Sequence, residues 1–149
     1  MPKKDFYQIS LKALIKNDKN EILILKGLLS GSYAKFYDLP GGRIDDNEFN
    51  MPFDKILIRE IGEEIGKVKI KLNMKPVALS RHMIPARLTA SKKALRILHV
   101  FFEAKLLAGK IKISDEHLGY RWQKITKRNI KQYFCTGILE GVREYLKKK

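Results

Sequence analysis

Three glutamates lie close together near the middle of this sequence, at Glu60, Glu63 and Glu64. On a helix these positions are i, i+3 and i+4, so their carboxylates share one face and repel one another. Positive charge must offset that crowding, and a hard divalent cation with oxygen ligands is the natural candidate. The spacing therefore predicts a helix with a metal-binding face.

The acidic residues are concentrated around this face, although the chain as a whole is basic. The sequence has 31 lysine and arginine residues against 16 acidic ones, for a formal net charge of +15. The segment 38–64 alone holds eight acidic and three basic residues, a net charge of −5. The basic remainder indicates a polyanionic partner, either a phosphorylated small molecule or nucleic acid, but a genome-wide compositional bias toward lysine explains it equally well.

Length and composition predict one soluble domain over residues 1–149. Of the 149 residues, 44% are hydrophobic and 32% are charged, which is typical of a globular protein with its own core. The aliphatic run Ile22 to Leu25 is too short to span a bilayer, and no apolar region follows the basic N-terminus as a secretory signal requires. The single cysteine, Cys135, fits a reducing compartment and a place in the core. We therefore expect a cytoplasmic protein that does not contact a membrane.

The clearest helix pattern contains the three glutamates. Pro52 suits the first turn of this helix, and Gly66 suits a left-handed residue at its end. Apolar residues recur at i, i+4 and i+8 on a face other than the acidic one, so the helix buries one side and presents carboxylates on the other. The predicted core stripe is Leu57, Ile61 and Ile65, with Ile58 beside it.

The rest of the chain predicts several strands and, near the C-terminus, one further helical region made of two helices. Strands combined with one internal and one terminal helical region indicate an α/β fold. The first two strands read as a β-hairpin, and the run around Phe101 is apolar on both faces and predicts a central strand. Two helices near the C-terminus follow. The predicted strands cover 6–15, 21–26, 67–71, 76–82, 95–107 and 120–122, with a loop at 83–93. The predicted helices cover 126–134 and 137–148, the second with Leu139, Val142 and Leu146 on its inner face.

The glutamate helix and the turn before it resemble a Nudix box. In that motif a glycine precedes a glutamate by five intervening residues, and after seven more comes Arg-Glu-aliphatic-x-Glu-Glu-x-Gly-aliphatic. Gly42 and Glu48 have the first spacing, and 59–66 match the last part position by position. Two departures occur: ten residues instead of seven follow Glu48, and Lys67 stands at the final aliphatic position. The longer gap leaves open whether Glu48 reaches a metal. The resemblance implies a Nudix-type α/β/α sandwich with a mixed, partly antiparallel β-sheet between helices.

The resemblance also implies an activity. Nudix enzymes cleave a pyrophosphate bond in a nucleoside diphosphate linked to another moiety, so it implies a pyrophosphohydrolase that uses Mg²⁺ or Mn²⁺. Glu60 and Glu64 would be the principal metal ligands, Glu63 a further ligand or a group behind the ligands, and the Gly41 carbonyl a backbone ligand. Arg59, four residues before Glu63, would pair with it and orient it, or form only an ordinary helical ion pair.

A carboxylate outside the motif often adds a metal ligand or a base in this family. Asp115, Glu116 and His117 stand shortly before Trp122 and resemble that loop, and Glu116 is the predicted ligand or base. Asp115 would instead cap a turn. His117 would contact phosphate or donate a proton, but solvent exposure is the more usual state of a loop histidine. The predicted catalytic residues are Glu63, Glu64, Arg59 and Glu116.

Basic and aromatic side chains would bind a nucleotide-type substrate. The aromatic candidates could stack on a base or simply pack in the core. Two interpretations compete with an enzyme: a Nudix-fold module that has lost catalysis and binds RNA or a nucleotide effector, and an unrelated basic RNA-binding protein. A monomer and a homodimer are both open, and the motif does not encode substrate identity. The predicted phosphate-binding residues are Arg43, Arg81, Arg87 and Arg96, and the aromatic candidates are Tyr33, Phe36, Tyr37 and Trp122.

Overall fold

A computed structural model describes residues 1–149 and contains seven strands and three helices. Short turns of 3-10 helix precede α1, at Asp46–Glu48, and follow β5, at Ala86–Leu88. No helix combines the length and the apolar character that crossing a membrane requires. The strands are β1 Gln8–Lys16, β2 Ile22–Lys26, β3 Tyr37–Asp38, β4 Gly41–Arg43, β5 Lys69–Ile84, β6 Leu95–Ala108 and β7 Gly119–Gln123. The helices are α1 Phe53–Ile65, α2 Ile130–Tyr133 and α3 Thr136–Lys147.

All seven strands belong to one mixed sheet. Its main path runs β3-β2-β1-β6-β5, with β4 paired to β1 and β7 paired to β2. The β1–β6 pair is parallel and the other pairs are antiparallel, and β6 lies between β1 and β5 as the apolar run predicts. The predicted hairpin of β1 and β2 is also confirmed. This pairing places Gly41 and Gly42 at the start of β4, against the start of β1 and directly after a bend at Pro40; the bend and the two glycines together form the Gly-Gly turn.

Helices cover both faces of the sheet, which confirms the predicted α/β/α sandwich. One buried cluster joins α1 to the sheet through residues such as Leu57 and Phe102. The other joins α2 and α3 to the opposite face through residues such as Phe101 and Val142. The side chains of successive strand residues point to opposite faces of the sheet, so Phe101 and Phe102 belong to different clusters.

Helix α1 is stabilised by a buried stripe and ends as predicted, but one stripe residue is wrong. Leu57, Ile61 and Ile65 are fully or almost fully buried, whereas Ile58 is 50% exposed. Ile56 is buried in its place, because the inward stripe widens toward the other side of the helix. Gly66 ends the helix with φ of +86°, a conformation that favours glycine.

The region between α1 and β6 differs from the prediction of two strands. It forms one long edge strand, β5, whose register against β6 shifts between Asn73 and Ala78. Pro76 lies inside this shift. Proline cannot donate to a strand ladder, and an edge strand with an irregular register tolerates it. The predicted break is therefore a bulge, and the predicted loop begins only after Ile84.

The C-terminal helices are shorter or rotated relative to the prediction. Residues 127–129 form a turn rather than a helix, and the Asn129 side chain accepts from the Thr126 N–H at 2.8 Å across that turn. In α3, Val142 is fully buried as predicted. The other fully buried positions are shifted by one residue from the predicted ones, to Ile138 and Tyr145.

Candidate active site

The three glutamates of α1 differ in exposure although they share one side of the helix. The Glu64 side chain is 5% exposed, the Glu60 side chain 16% and the Glu63 side chain 53%. Burial raises the pKa of Glu64 to about 7 and also raises the pKa of Glu60. Two crowded carboxylates are thus held out of water, where a cation would favour their charged forms.

The Gly41–Gly42 turn lies directly against these two carboxylates. The Gly41 N–H donates to Oε1 of Glu64 at 2.6 Å. Gly41 has φ of +133°, and a Cβ there would collide with the backbone of Leu11 on β1. A Cβ on Gly42 would collide with the carboxylate of Glu60. Both positions need glycine, one for its backbone angle and packing, the other for the space beside an acidic side chain.

Arg59 ties the helix to the segment before it. Its guanidinium donates to both oxygens of Glu48, at 2.6 and 2.8 Å, and to Glu63 at 2.9 Å, and it also pairs with Glu60 at 3.1 Å. The Asp45 N–H donates to Glu48 at 2.9 Å, and this bond together with Arg59 lowers the pKa of Glu48. Glu48 is only 6% exposed. The longer segment between Glu48 and α1 therefore keeps this side chain buried beside Arg59.

The loop before β7 also contacts Glu64, in addition to the Gly-Gly turn. Residues 110–113 form no strand of the sheet, but the Ser114 N–H donates to the Glu64 carbonyl at 3.0 Å, which fixes the loop at the end of α1. Ligand atoms of Glu64, Glu116 and His117 then lie within 4.8 Å of one another. Asp115, the residue expected to cap a turn, is exposed.

The expectation that His117 is solvated is wrong. Its side chain is only 8% exposed and lies between two buried acids, with Nδ1 3.7 Å from Glu64 Oε2 and Nε2 4.0 Å from Asp38 Oδ2. The Ser114 contact folds the loop inward and encloses the ring. His117 Nδ1 has no hydrogen-bond partner although it is buried.

A buried ion pair of Lys12 and Asp38 adjoins this group. Lys12 Nζ lies 3.1 Å from Asp38, and both residues are buried. Burial alone would raise the pKa of Asp38, but Lys12 and His117 outweigh it and lower the pKa to about 2. Neither residue is predicted from the sequence. The available signal was a lysine inside the apolar run of β1.

Next to the Gly-Gly turn the structure has a cavity of about 160 Å³. Its walls come from β1, β3, β4, β5, β6 and the segment around Tyr33, on the α3 side of the sheet. His82 and His99 are among its most buried lining residues, at 8% and 3% exposure. Neither histidine is predicted from the sequence, although each interrupts an apolar strand pattern. The full lining is Ser10, Lys12, Ser32, Tyr33, Asp38, Gly42, Arg43, His82, Ile84, Ile97 and His99.

The four predicted phosphate-binding arginines are not brought together. Arg43 lines the cavity and donates to Gln8 at 2.8 Å. Arg96 instead pairs with Asp5 at 2.8 Å. Arg81 and Arg87 are exposed, and Arg81 alternates with buried His82, so it points to the other face of the sheet. Among the aromatic candidates, Tyr33 lines the cavity, whereas Tyr37 and Trp122 pack against the core and Phe36 is half-buried.

The residues present fit a hard divalent cation. Carboxylate oxygens of Glu60, Glu64 and Glu116 and the carbonyl of Gly41 are the oxygen donors that Mg²⁺ and Mn²⁺ prefer. The absence of a Cβ on Gly42 keeps the space beside Glu60 free. Of the three glutamates of α1, Glu64 alone belongs to the group with Glu116 and His117, while Glu60 and Glu63 both pair with Arg59.

Solved structures of Nudix proteins share this fold. The MutT protein from Methanosarcina mazei Go1 has a TM-score of 0.68 and 22% identity, over 95% of this chain and 91% of that one. A MutT NUDIX hydrolase from Burkholderia pseudomallei has a TM-score of 0.60 and 23% identity, over 80% and 84%. An ADP-ribose pyrophosphatase from Streptococcus suis 89-1591 has a TM-score of 0.59 and 15% identity, over 96% and 92%. The sequence matches no protein-family model and no curated protein. These likenesses show the Nudix fold, and the function is argued from the site.

Proposed function

We propose that this protein is a Mg²⁺-dependent pyrophosphohydrolase that cleaves a phosphoanhydride bond in a nucleoside diphosphate derivative. One observation carries the proposal: Glu60 and Glu64 are held nearly out of water against the Gly41–Gly42 turn, and Arg59 is fixed beside them by Glu48. Carboxylates buried in this way are suited to binding a metal and a phosphate chain. The carboxylates of an ordinary solvated helix face would instead be exposed to water. The structural neighbour named as an ADP-ribose pyrophosphatase acts on a compound of this class, which supports the same reading.

The metal ligands follow from the donors around the turn. Glu60, Glu64, Glu116 and the Gly41 carbonyl would hold Mg²⁺, with Mn²⁺ as an alternative. Bound there, the metal would neutralise charge on the phosphate oxygens and make a coordinated water more acidic. Because the Gly41 N–H occupies Oε1 of Glu64, that carboxylate is oriented before a ligand arrives.

The remaining side chains orient these ligands and handle the proton. A water oxygen attaches to one phosphorus, the bridging oxygen leaves with the other phosphate group, and a nearby carboxylate takes the proton of the water. The products are a nucleoside monophosphate and the remaining phosphorylated fragment. Glu63, Glu64 and Glu116 are the candidate bases. Arg59 is a positioning residue, since its two-pronged contact with Glu48 fixes the side of α1 from which Glu63 projects.

Several sequence-based interpretations stay predictions. These are the extent of one domain over residues 1–149, the cytoplasmic location, the choice between monomer and homodimer, and RNA as a partner. The basic surface is compatible with RNA, but the acidic, buried character of the candidate site favours a metal and a small substrate.

A nucleotide panel tests the proposal. The panel contains nucleoside triphosphates, dinucleoside polyphosphates, nucleotide sugars and ADP-ribose, each incubated with Mg²⁺ and again after chelation. The expected result is release of a nucleoside monophosphate from at least one class, with Mg²⁺ only. No turnover of any class, together with tight RNA binding, would instead favour the binding-module interpretation.

A further inference from the structure

Three lysines stand side by side on neighbouring strands, at the end of the sheet away from the Gly-Gly turn. Lys16 on β1 and Lys71 on β5 are both direct cross-strand partners of Lys105 on β6. Such partners have their side chains on the same face of a sheet, and neighbouring strands lie about 4.8 Å apart. The three side chains therefore leave the sheet in a row roughly 10 Å wide. We call these three residues the lysine row.

The lysine row destabilises the sheet, and nearby acids offset its charge only in part. Like charges directly opposite each other on neighbouring strands repel. Glu103 lies 3.0 Å from Lys16, but it is shared with Lys149 at 3.3 Å. Asp18 lies 3.5 Å from Lys105, and both of these side chains are mostly exposed, so this pair contributes little. Four lysines thus face two acids, which leaves a net charge of +2 in this region.

The lysine row lies on the floor of an open cavity of about 610 Å³. The turn between β1 and β2, at 17–20, forms part of the wall. The end of α3 lies beside the cavity, where Tyr145 Oη donates to Glu103 at 2.8 Å. Asn20 and Asn73 add side-chain amides to the lining, and amides can donate to oxygen. The volume is in the range of small-molecule sites.

This cavity is separate from the candidate active site. Lys12, which lines the cavity beside the Gly-Gly turn, precedes Lys16 by four residues on β1. Four residues of a strand span roughly 13 Å. Leu14 stands between the two lysines and is fully buried in the cluster beneath α3. The same side of the sheet therefore has two distinct cavities, one at each end of β1.

The charge and the lining of the second cavity select the class of ligand. A row of ammonium groups fits an anion whose negative oxygens are spread along its length, as in linked phosphates, and lysine binds phosphate as a point charge. No aromatic side chain lines the cavity. A single-stranded nucleic acid would therefore find no surface on which its bases could stack.

We propose that the lysine row binds a small anion with two or more linked phosphate groups, at a site separate from the candidate active site. Such an anion would neutralise the charge that Glu103 and Asp18 leave, and it would relieve the repulsion within the row. Residues kept at the expense of stability are typical of functional sites. The inference does not rest on the proposed function, because it concerns other residues and needs no metal.

Backbone ¹H–¹⁵N NMR of the metal-free protein locates the site. Tripolyphosphate should shift the amide signals of the lysine row and leave those of Gly41 and Gly42 unchanged. Orthophosphate, which has a single phosphate group, should bind at least about tenfold more weakly. Shifts confined to the Gly-Gly turn, or equal shifts with NaCl at the same ionic strength, would overturn the inference.

Charge-matched variants measure how much of the affinity depends on the lysine row. The triple variant Lys16→Gln/Lys71→Gln/Lys105→Gln should bind tripolyphosphate at least about tenfold more weakly in calorimetry. The control removes the same charge from exposed positions in and before α2 and should keep most of the affinity. Equal losses in the two triple variants would mean that net charge alone attracts the anion, which would overturn the inference. The control variant is Lys124→Gln/Lys127→Gln/Lys131→Gln.

Thermal melts at low salt distinguish a ligand site from a structural role, and they need only one substitution. Without ligand, Lys105→Gln should melt at or above the wild-type Tm, because it removes the centre of the lysine row. With tripolyphosphate, the Tm of the wild type should rise more than that of the variant. A lower Tm without ligand together with an equal rise in both proteins would overturn the inference. This single variant decides the question if the triple variant does not fold.

Two further measurements separate this inference from its alternatives. A single-stranded RNA oligonucleotide that binds the lysine row more tightly than tripolyphosphate would overturn the small-anion assignment in favour of nucleic acid. The triple lysine variant should hydrolyse the nucleotide selected by the panel at the wild-type rate. Anion binding in a protein that hydrolyses nothing would leave this site and remove the enzyme, and hydrolysis without anion binding would do the reverse.

Discussion

The backbone N–H of Gly41 donates to Oε1 of Glu64 at 2.6 Å, which joins a strand-end turn to a carboxylate 23 positions later in the chain. This bond orients a carboxylate whose pKa burial raises to about 7. The neighbouring glycine, Gly42, leaves room for the Glu60 carboxylate because it has no Cβ. The turn therefore positions Glu60 and Glu64, the two principal predicted metal ligands. Substitutions in the turn can show whether it acts by positioning these ligands or by stabilising the fold.

Gly42→Ala should damage the site more than the fold. The added Cβ would meet the end of the Glu60 side chain, which can move, and Gly42 does not have a positive φ. We expect Mg²⁺ affinity and turnover to fall roughly 10- to 100-fold, with a small change in Tm. Metal titration and thermal melts measure the two effects.

Gly62→Ala in α1 is the control for that substitution. A Cβ at Gly62 meets nothing within 4 Å, and alanine favours a helix interior. This variant should gain about 0.5–1 kcal/mol of unfolding free energy and keep its activity. Comparable activity loss in both glycine variants would show that the turn has no special role.

Arg59→Lys should impair the enzyme even though it conserves charge. Lysine cannot reproduce the two-pronged contact with Glu48 while also reaching Glu63. Turnover should fall roughly 10- to 100-fold in Arg59→Lys and at least as far in Arg59→Ala. Steady-state kinetics measure the effect, and Arg143→Ala at an exposed position of α3 is the control. Wild-type kinetics in Arg59→Lys would mean that Arg59 and Glu63 form only a surface ion pair.

Local spacing predicts the parts of the site that lie within one turn of chain. Arg59 and Glu63 pair at i, i+4, and Gly66 ends α1, because helix geometry alone decides both. The pairing of Lys12 with Asp38 and the stacking of His82 on His99 depend instead on strand register, which no local pattern encodes. The burial of His117 is also not encoded locally, because its loop is held by a backbone bond from Ser114 to Glu64, 50 residues earlier in the chain.

Separating Lys12 from Asp38 should destabilise the fold strongly. Both are buried, so Lys12→Met or Asp38→Asn leaves one charge without its partner, at a cost of about 3–5 kcal/mol. The double variant should cost less than the sum of the two, by roughly 0.5–3 kcal/mol. Urea unfolding of the four proteins measures this coupling.

The exposed pair Lys147–Glu144, at 3.0 Å, provides the comparison. Its coupling should be no more than about 0.5 kcal/mol. Equal coupling in the two pairs would contradict the assignment of Lys12 and Asp38 as a buried pair.

Stability should depend on pH through His99. Burial lowers its pKa to about 3, while an unfolded histidine titrates near 6.5. The unfolded state therefore binds more protons between these values, so this contribution is present above pH 6.5 and is lost as pH falls toward 3. Relative to His99→Gln, the wild type should lose about 2 kcal/mol of unfolding free energy between pH 7.5 and pH 5. Urea melts at both pH values test this, and a gap that does not change with pH would contradict it.

Hydrolysis in ¹⁸O-labelled water tests the central claim most directly. The comparison uses wild type, Glu64→Gln and Glu140→Gln, the last being an exposed glutamate of α3, on whichever nucleotide the panel selects. Wild type and Glu140→Gln should place ¹⁸O in a phosphate product with Mg²⁺ and not after chelation. Glu64→Gln should lose at least about 100-fold in rate. Equal rates in wild type and Glu64→Gln, or unlabelled phosphate products, would contradict the account.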